Sequence, residues 1–400
     1  MLGDGSDGAI RAFESSHRTA AALSEVPIEE RLRRTKDLRA RFGALAPNEI
    51  LRAAEKALTV SATSADGDAI EVEFEMDAKE PGKLVGIRLA IGGAGAAVPS
   101  RPMTEESRVE LVEAVARAVA STYVYPDIGK TMAARIRQAL ASGAYAQVAN
   151  EKAMAVRLTE DLRAVSHDRH LSVDFSPADP SLPGGAHSFV PAGADAARDN
   201  YAFKKVEVLA GNVGLIRLDL FLNEPEAMKT ADAAMAFLEH ADAIVFDLRH
   251  NGGGDPEMIR HLSSYFFSAR THLNSMVDRD GTIVDDFWTG DVPGKKFRDD
   301  LPLFVLTSAR TFSGAEEFTY NLRNLKRATI VGETTGGGAH PVRAVRVDDR
   351  FIVSVPFLRA LNPITKTNWE GVGVTPDVKT AADEALDKAL GLARRAIGKR

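Results

Sequence analysis

The chain has 400 residues, 44% of them hydrophobic and 26% charged, a composition typical of an ordinary folded protein of two or three domains. A formal net charge of −6 and the lack of a Lys/Arg-rich block argue against a nucleic-acid-binding protein. The absence of cysteine excludes disulfides, cysteine-ligated zinc and a cysteine nucleophile, and no apolar run is long enough to span a membrane.

Residues 1–91 are predicted to form a small α+β domain. Its first ten residues lack the charged and apolar regions of a signal peptide. A helix is expected to begin at Pro27, with two glutamates in its first turn, and to end before Gly43. A hairpin centred on Asp66 and Gly67, followed by alternating apolar residues, predicts a three-stranded meander. Because no catalytic constellation is visible here, packing or substrate docking is the expected role.

Two further domains are predicted, a helical subdomain at residues 103–177 and an α/β core at residues 201–398. Small residues at 92–102 predict a linker before the first, and a Pro/Gly/Ala-rich connection at 176–200 separates the two. In the core, strands and helices alternate along the chain. The helices of the subdomain are expected at Glu105–Thr122, Lys130–Ser142 and Glu151–Val165.

The first of two informative strand–turn–helix units lies at 243–258. The predicted strand Ala243–Leu248 is followed by Asn251 and the glycines Gly252–Gly254, and a helix begins near Pro256. Consecutive glycines allow positive φ angles and let backbone N–H groups converge on an anion. No phosphate-binding GxxxxGK[ST] motif accompanies them, which disfavours a nucleotide site.

The second unit places Ser313 between a buried strand at Leu303–Leu306 and a helix at Ala315–Lys326. At such a turn a hydroxyl is exposed, and the helix dipole favours developing negative charge. The alternative is that Ser313 only caps the helix, since serine is a preferred N-cap residue. One unit that offers N–H donors and one that offers a hydroxyl fit acyl transfer better than nucleotide binding.

Four motifs resemble those of the S41 peptidases, the C-terminal processing protease family: VFDLRHNGGG, TFSGAEEF, VGETTGGGAHP and NWEGVGVTPDV. The segments STYVYPDIGKTM, ASGAY and LTEDLRAVSHDRHLSV are similar to the helical part of a branch that includes interphotoreceptor retinoid-binding protein and the tricorn core protease. The resemblance covers residues 101–395. It implies a ClpP/crotonase-like spiral core, serine-type hydrolysis of unfolded proteins or peptides, no metal or organic cofactor, and a periplasmic or secreted location. The oligomeric state stays open.

The resemblance implies that Ser313 is the nucleophile and that a histidine is its base. Some S41 proteases use a lysine downstream of the serine, but Gly338 occupies that position here. His170 matches the family's D-x-H pattern, and His167 is the alternative. A metal site built on these two histidines and Asp168 lacks a third ligand at a recognisable spacing.

A glutamate that precedes a Gly-Val-x-Pro-Asp turn is the third member of the site in the tricorn-like branch, and Glu370 matches it. It would orient His170 and stabilise its charged form, although a surface-loop glutamate is the alternative. The oxyanion hole is expected from the N–H of Gly314 and that of Gly252 or Gly253.

The remaining polar residues near the motifs have less specific expectations. His250 and His340 follow the two glycine runs and are candidates to line the substrate cleft. Glu316 and Glu317 fall in the first turn of the helix after Ser313 and are expected to be structural. The rival function is a non-catalytic binder of apolar ligands or peptides on the same fold.

Overall fold

The structure is a computed structural model that describes residues 6–54, 57–63, 69–77, 80, 82–91, 100–176 and 194–398. The hairpin predicted at Asp66 and Gly67 lies outside these residues, as do most of the linker at 92–102 and the connection at 176–200. No helix in the described ranges is long and apolar enough to cross a membrane.

The chain forms two compact units, Met1–Ser100 and Arg101–Arg400. The predicted domain at 1–91 falls within the first unit, and those at 103–177 and 201–398 fall within the second. The first unit contains the helices α1 (Asp7–His17), α2 (Ala20–Glu25) and α3 (Ile28–Phe42), and the strands β1 (Ala46–Ala54), β2 (Ala57–Thr63), β3 (Ala69–Met76) and β4 (Leu84–Ile91). These strands form an antiparallel sheet in the order β1-β2-β3-β4.

This sheet has one strand more than the predicted meander. In β1 the register shifts between Pro47 and Glu49 and again between Ile50 and Arg52. Each shift breaks the two-residue alternation by which a strand is recognised in a sequence. The edge position of β1 also explains why it tolerates a proline. The helix predicted to begin at Pro27 is confirmed as α3.

The second unit begins with the three predicted helices, which the structure confirms. They are α4 (Glu105–Thr122), α5 (Pro126–Ala141) and α6 (Glu151–Ser166), and the strand β5 (Ser172–Phe175) follows them. The start of α4 is fixed by a capping box between Thr104 and Ser107, and α6 ends at His167, whose φ of 57° is left-handed. The three helices share an apolar core with Phe351 and Val353 of a later strand, so they are packed onto the rest of the unit.

The remainder of this unit alternates strands and helices as predicted. Its helices are α7 (Ala194–Arg198), α8 (Pro225–Phe237), α9 (Pro256–Ser264), α10 (Gly314–Asn324) and α11 (Ala385–Ile397). Its strands are β6 (Phe203–Leu209), β7 (Val213–Leu218), β8 (Ala243–Asp247), β9 (His272–Val277), β10 (Ile283–Trp288), β11 (Leu303–Thr307), β12 (Thr329–Gly332), β13 (Val342–Arg346), β14 (Phe351–Pro356), β15 (Arg359–Leu361) and β16 (Val378–Lys379).

A six-stranded sheet in the order β16-β12-β11-β8-β7-β6 forms the centre of this unit. All neighbouring strands are parallel except the β6–β7 pair. Side chains of β8 alternate between two cores, with Phe246 facing the core of α8, α9 and α10 and Val245 facing that of α11. Burial on both faces explains the uninterrupted apolar runs of β8 and β11. Two smaller sheets, β10-β9-β15 and β13-β14-β5, flank the centre.

Candidate active site

The two predicted strand–turn–helix units lie side by side. Because β8 and β11 pair in parallel, the turns that follow them meet at the same edge of the sheet. The Thr311 hydroxyl donates a hydrogen bond of 2.8 Å to the carbonyl of Leu248, and the N–H of Phe312 donates one of 3.1 Å to the carbonyl of Asn251. These bonds hold Ser313 against the glycine loop.

Ser313 has a strained backbone conformation, with φ 53° and ψ −121°. A serine that only caps a helix ordinarily has extended backbone angles, so this conformation distinguishes Ser313 from a simple cap. Its N–H donates a hydrogen bond of 2.9 Å to the Glu316 carboxylate. The same carboxylate accepts the N–H groups of Gly337 and Gly338 at 2.6 and 2.8 Å and the hydroxyl of Thr335. Glu316 therefore ties the serine turn to the second glycine run.

The first glycine loop is in direct contact with the serine. A Cβ on Gly253, whose φ is 120°, would lie 2.8 Å from the Cβ of Ser313, so only glycine fits there. The N–H of Gly253 already donates to Asn251 Oδ1 at 2.8 Å. Those of Gly252 and Gly314 have no acceptor in the described part of the chain, and they are the predicted donors that remain available.

A cavity of about 490 Å³ opens beside the serine. Ser313, Gly314, His170 and His340 line it, together with apolar walls such as Trp369. The other two histidines singled out in the sequence do not line this cavity. They are His167, exposed at the end of α6, and His250, half-buried in the turn after β8.

His170 packs between the serine turn and the second glycine run. Its ring centroid lies 4.6 Å from that of Phe312, and a Cβ on Gly338 would come within 2.5 Å of its Cε1. Its Nδ1 has no hydrogen-bond partner in the described ranges, and the nearest carboxylate oxygen, on Asp168, is 3.9 Å away. Burial lowers the pKa of His170 to about 4, although the charge of Asp168 opposes the fall. The imidazole is therefore in its neutral form at pH 7, which is the form that a general base requires, and the same burial lowers its basicity.

A second imidazole stands between two carboxylates. His340 is 2% exposed, and its Nδ1 lies 2.6 Å from Asp168 Oδ2 and 3.5 Å from Glu370 Oε2. Asp168 also accepts the Tyr123 hydroxyl at 3.2 Å and the backbone N–H of His170 at 2.9 Å. The Nε2 of His340 has no partner within the described part of the chain. In the sequence, Asp168 was expected only as part of a possible metal site. The D-x-H pattern, in which Asp168 precedes His170 by two residues, is the sequence feature that could have identified it as a site residue.

Glu370, expected to orient His170, lies instead against His340. The N–H of Ala339 donates a hydrogen bond of 2.6 Å to Glu370 Oε2 and holds the carboxylate beside the next residue. Burial raises the pKa of Glu370 to about 7, His340 opposes this rise, and the charge of Asp168 adds to it. Burial also acts to raise the pKa of Asp168, but the hydrogen bonds and charges of His340 and His170 together outweigh it and hold that pKa below its usual range.

The same three residues present the chemistry of a metal-ligand set. Ligand atoms of Asp168, His340 and Glu370 all lie within 4.8 Å of one another. An imidazole and two carboxylates are suitable ligands for a divalent transition metal. Their hydrogen-bonded arrangement also suits the positioning of an imidazole without a metal.

Comparison with known proteins gives two family matches and one curated relative. Residues 212–380 match the model of peptidase family S41, and residues 104–204 match the N-terminal domain of peptidase S41 in eukaryotic IRBP. A chloroplastic C-terminal processing peptidase from Tetradesmus obliquus is 30% identical over 179 residues, which cover 42% of this chain and 35% of the relative.

Two solved structures show the same fold. A candidate peptidase from Parabacteroides merdae has a TM-score of 0.52 at 19% identity, over 73% of this chain and 97% of that chain. A lipoprotein from Streptococcus agalactiae has a TM-score of 0.50 at 13% identity, over 75% of this chain and 99% of that chain. The predicted α/β class with a helical N-terminal part is confirmed, and the family matches support a protease function. Residues 104–204 and 212–380 of this chain therefore match two domains of the S41 peptidase family.

Proposed function

We propose that the protein is a serine-type peptidase that hydrolyses peptide bonds in unfolded proteins or peptides, with Ser313 as the nucleophile. The observation that carries the proposal is the strained turn at Ser313, which lines a cavity together with Gly314, whose N–H is free in the described residues, and with the imidazole of His170. Such turns present a hydroxyl for attack, and strained backbone is retained where it serves a function.

The reaction follows from these groups. The Ser313 hydroxyl attacks the peptide carbonyl carbon and gives its proton to a neutral imidazole, for which we propose His170. The N–H groups of Gly314 and Gly252 stabilise the oxyanion. The imidazolium then protonates the leaving amine as the C–N bond breaks, which leaves an ester on the serine. A water molecule, deprotonated by the same imidazole, attacks the ester carbonyl, and the imidazolium returns the proton to Ser313 Oγ as the C–O bond breaks and the acid is released.

In this proposal, Asp168 connects the base to a second imidazole. Asp168 accepts hydrogen bonds both from the His340 ring and from the His170 backbone, so it connects the two histidines. We infer that Glu370 completes this set by holding His340. A specific alternative is that His340 itself is the base, since its Nδ1 is paired with a carboxylate while its Nε2 has no partner in the described residues.

A fluorophosphonate probe tests the nucleophile, because only an activated serine reacts with it. We expect labelling of the wild type, and Ser313→Ala should abolish both labelling and the hydrolysis of an unfolded fluorogenic protein, with activity reduced about a thousandfold or more. Ser142→Ala, which changes an exposed serine at the end of α5, is the matched control and should retain both.

Two outcomes would contradict this proposal. Turnover that survives Ser313→Ala would assign the hydrolysis to another serine or to a contaminant. An unlabelled wild type that binds retinol or a fatty acid tightly would favour the apolar-ligand binder, whose pocket the walls Phe221, Met276 and Trp369 could supply.

Single alanine variants of the two histidines separate the alternatives for the base. We expect His170→Ala to lower kcat about as much as Ser313→Ala, with no further loss in the double variant, because such groups act as a unit. His340→Ala should retain measurable turnover, since that ring acts through Asp168. Circular dichroism and thermal melting verify that each variant is folded. If His170→Ala stays active while His340→Ala is dead, the base is His340.

A further inference from the structure

One carboxyl group on the cavity wall is not used by the mechanism proposed above. Glu317 lies one helical turn beyond Ser313 on α10, and its N–H donates a hydrogen bond of 3.0 Å to the Ser313 carbonyl. Residues four apart on a helix share a face. The Glu317 side chain accordingly lines the same cavity as Ser313, although the residue is only 4% exposed.

The neighbouring Glu316 shows what a structural carboxylate looks like at this helix start. It is held by the N–H groups of Ser313, Gly337 and Gly338. Glu317, by contrast, forms no ion pair with a Lys, Arg or His in the described ranges. Its hydrogen-bond partners, the side chains of Asn274 and Asn321, are neutral, so a buried negative charge on Glu317 is costly unless a cation reaches it.

The other charges on the cavity wall have the same sign. Glu224 and Asp255 also line it, and no Lys or Arg is among the described residues that do. Burial raises the pKa of Glu317 to about 7, and the nearby charge of Asp255 adds to the rise, which the amides of Asn274 and Asn321 oppose. A cation that enters the cavity would stabilise the ionised carboxylate and lower its pKa again.

The rest of the wall suits the stem of a long side chain. Met276, Trp369 and Phe221 provide apolar surface around the acidic groups. A lysine buries its methylene groups against such surface while its ammonium reaches a carboxylate. Resting on the proposed peptidase function, we propose that this cavity is a substrate side-chain pocket in which Glu317 selects a cationic residue, so that the enzyme prefers Lys or Arg there.

The test uses fluorogenic peptides that are N-acetylated and differ only by Lys or its apolar isostere norleucine, placed in turn at each position around the scissile bond. At one position, we expect kcat/KM for Lys to exceed that for norleucine by about tenfold or more. Glu317→Gln should bring this ratio close to one by lowering Lys turnover, because the carboxamide keeps the shape and loses the charge. Glu224→Gln, which neutralises a half-buried carboxylate on the same wall, is the graded control and should lower the ratio less.

The readouts separate this proposal from the one on which it rests. Fluorophosphonate labelling measures the reactivity of Ser313 and does not depend on a substrate side-chain pocket. An enzyme that is labelled but shows no preference for Lys would therefore contradict the proposed pocket and not the proposed peptidase function. An enzyme that neither labels nor cleaves overturns both. The last comparison uses norleucine peptides with a free N-terminal amino group. If these peptides are cleaved faster than the acetylated Lys peptides, the cavity recognises the N-terminal amine of the substrate and not a Lys side chain, and the proposal is overturned. If Glu317→Gln does not fold, a wild-type Lys/norleucine ratio near one overturns the pocket, and loss of the whole preference in Glu224→Gln overturns its assignment to Glu317.

Discussion

Among single residues, Gly338 shows most directly why this site has room for a histidine base and not for a lysine base. A Cβ at this position would come within 2.5 Å of His170 Cε1 and would overlap the Phe312 ring. Gly338 stands where the resemblance to other S41 proteases would place a lysine base. The space that a lysine side chain would need is therefore filled by the imidazole, and the two arrangements are sterically exclusive.

The contact predicts that Gly338→Ala is inactivating. The added methyl group should displace the His170 ring from the serine turn, and a displacement of this kind costs about a hundredfold in turnover. Gly391→Ala on α11 is the matched control, because among the described residues outside its own helix backbone the new Cβ would approach no atom more closely than the tip of Arg395, at 3.9 Å. The measurement is kcat/KM on the unfolded substrate beside a thermal melt. Full activity in a folded Gly338→Ala enzyme would show that catalysis does not depend on the position of the His170 ring beside the serine turn.

At the scale of elements, the sequence predicts best where a local rule decides the structure. The bounds of α4 agree with the prediction because a capping box begins the helix, and β8 and β11 were recognisable because both faces of each strand are buried. The strand β1 was missed because its register shifts hide the alternation. Local chemistry thus specifies most of the elements and the turn that carries Ser313.

The contacts between side chains in the site depend on how distant parts of the chain pack together, and such contacts cannot be predicted from local sequence patterns. Motif position singled out His170, Ser313 and Glu370, but no pattern along the chain tells which imidazole faces which carboxylate. Asp168 and His340 are 172 residues apart and meet only because β5 pairs with β14 at one side of the unit. Local patterns therefore singled out candidate residues, but they could not indicate how those residues pair.

At the scale of the whole second unit, one buried ion pair connects distant parts of the chain. Glu151, the first residue of α6, is 7% exposed and accepts two hydrogen bonds of 2.5 Å from Arg350, which precedes β14 and is 6% exposed. The N–H of Arg101 donates a third, of 2.6 Å. The pair fixes the helical segment to the sheet that carries β5 and β14.

Breaking this pair should destabilise the unit strongly. Glu151→Gln leaves a buried guanidinium without its carboxylate, for which we expect a loss of about 3 kcal/mol in the free energy of unfolding by urea titration at pH 7. Glu113→Gln, which breaks the more exposed pair with Arg137, is the matched control and should cost less than about 1 kcal/mol. Equal losses in the two variants would contradict a structural role for the buried pair.

The pH dependence of that loss has a definite sign. Burial acts to raise the pKa of Glu151, but the hydrogen bonds and charges of Arg350 and Arg101 together outweigh it and hold the pKa below its ordinary value. A lowered folded-state pKa stabilises the protein above the unfolded-state pKa, and this stabilisation disappears as the pH falls through the folded-state pKa. The difference between wild type and Glu151→Gln should therefore shrink in acid.

The distance along the chain between the paired groups has a consequence for synthesis. Ser313 leaves the ribosome before His340 and Glu370, and Asp168 meets His340 across 172 residues. A nascent chain that already exposes its serine therefore lacks the groups proposed to position its base. If the proposed mechanism holds, the growing polypeptide would not cleave itself or its neighbours before these groups emerge, and fluorophosphonate reactivity would begin only after Glu370 has been synthesised.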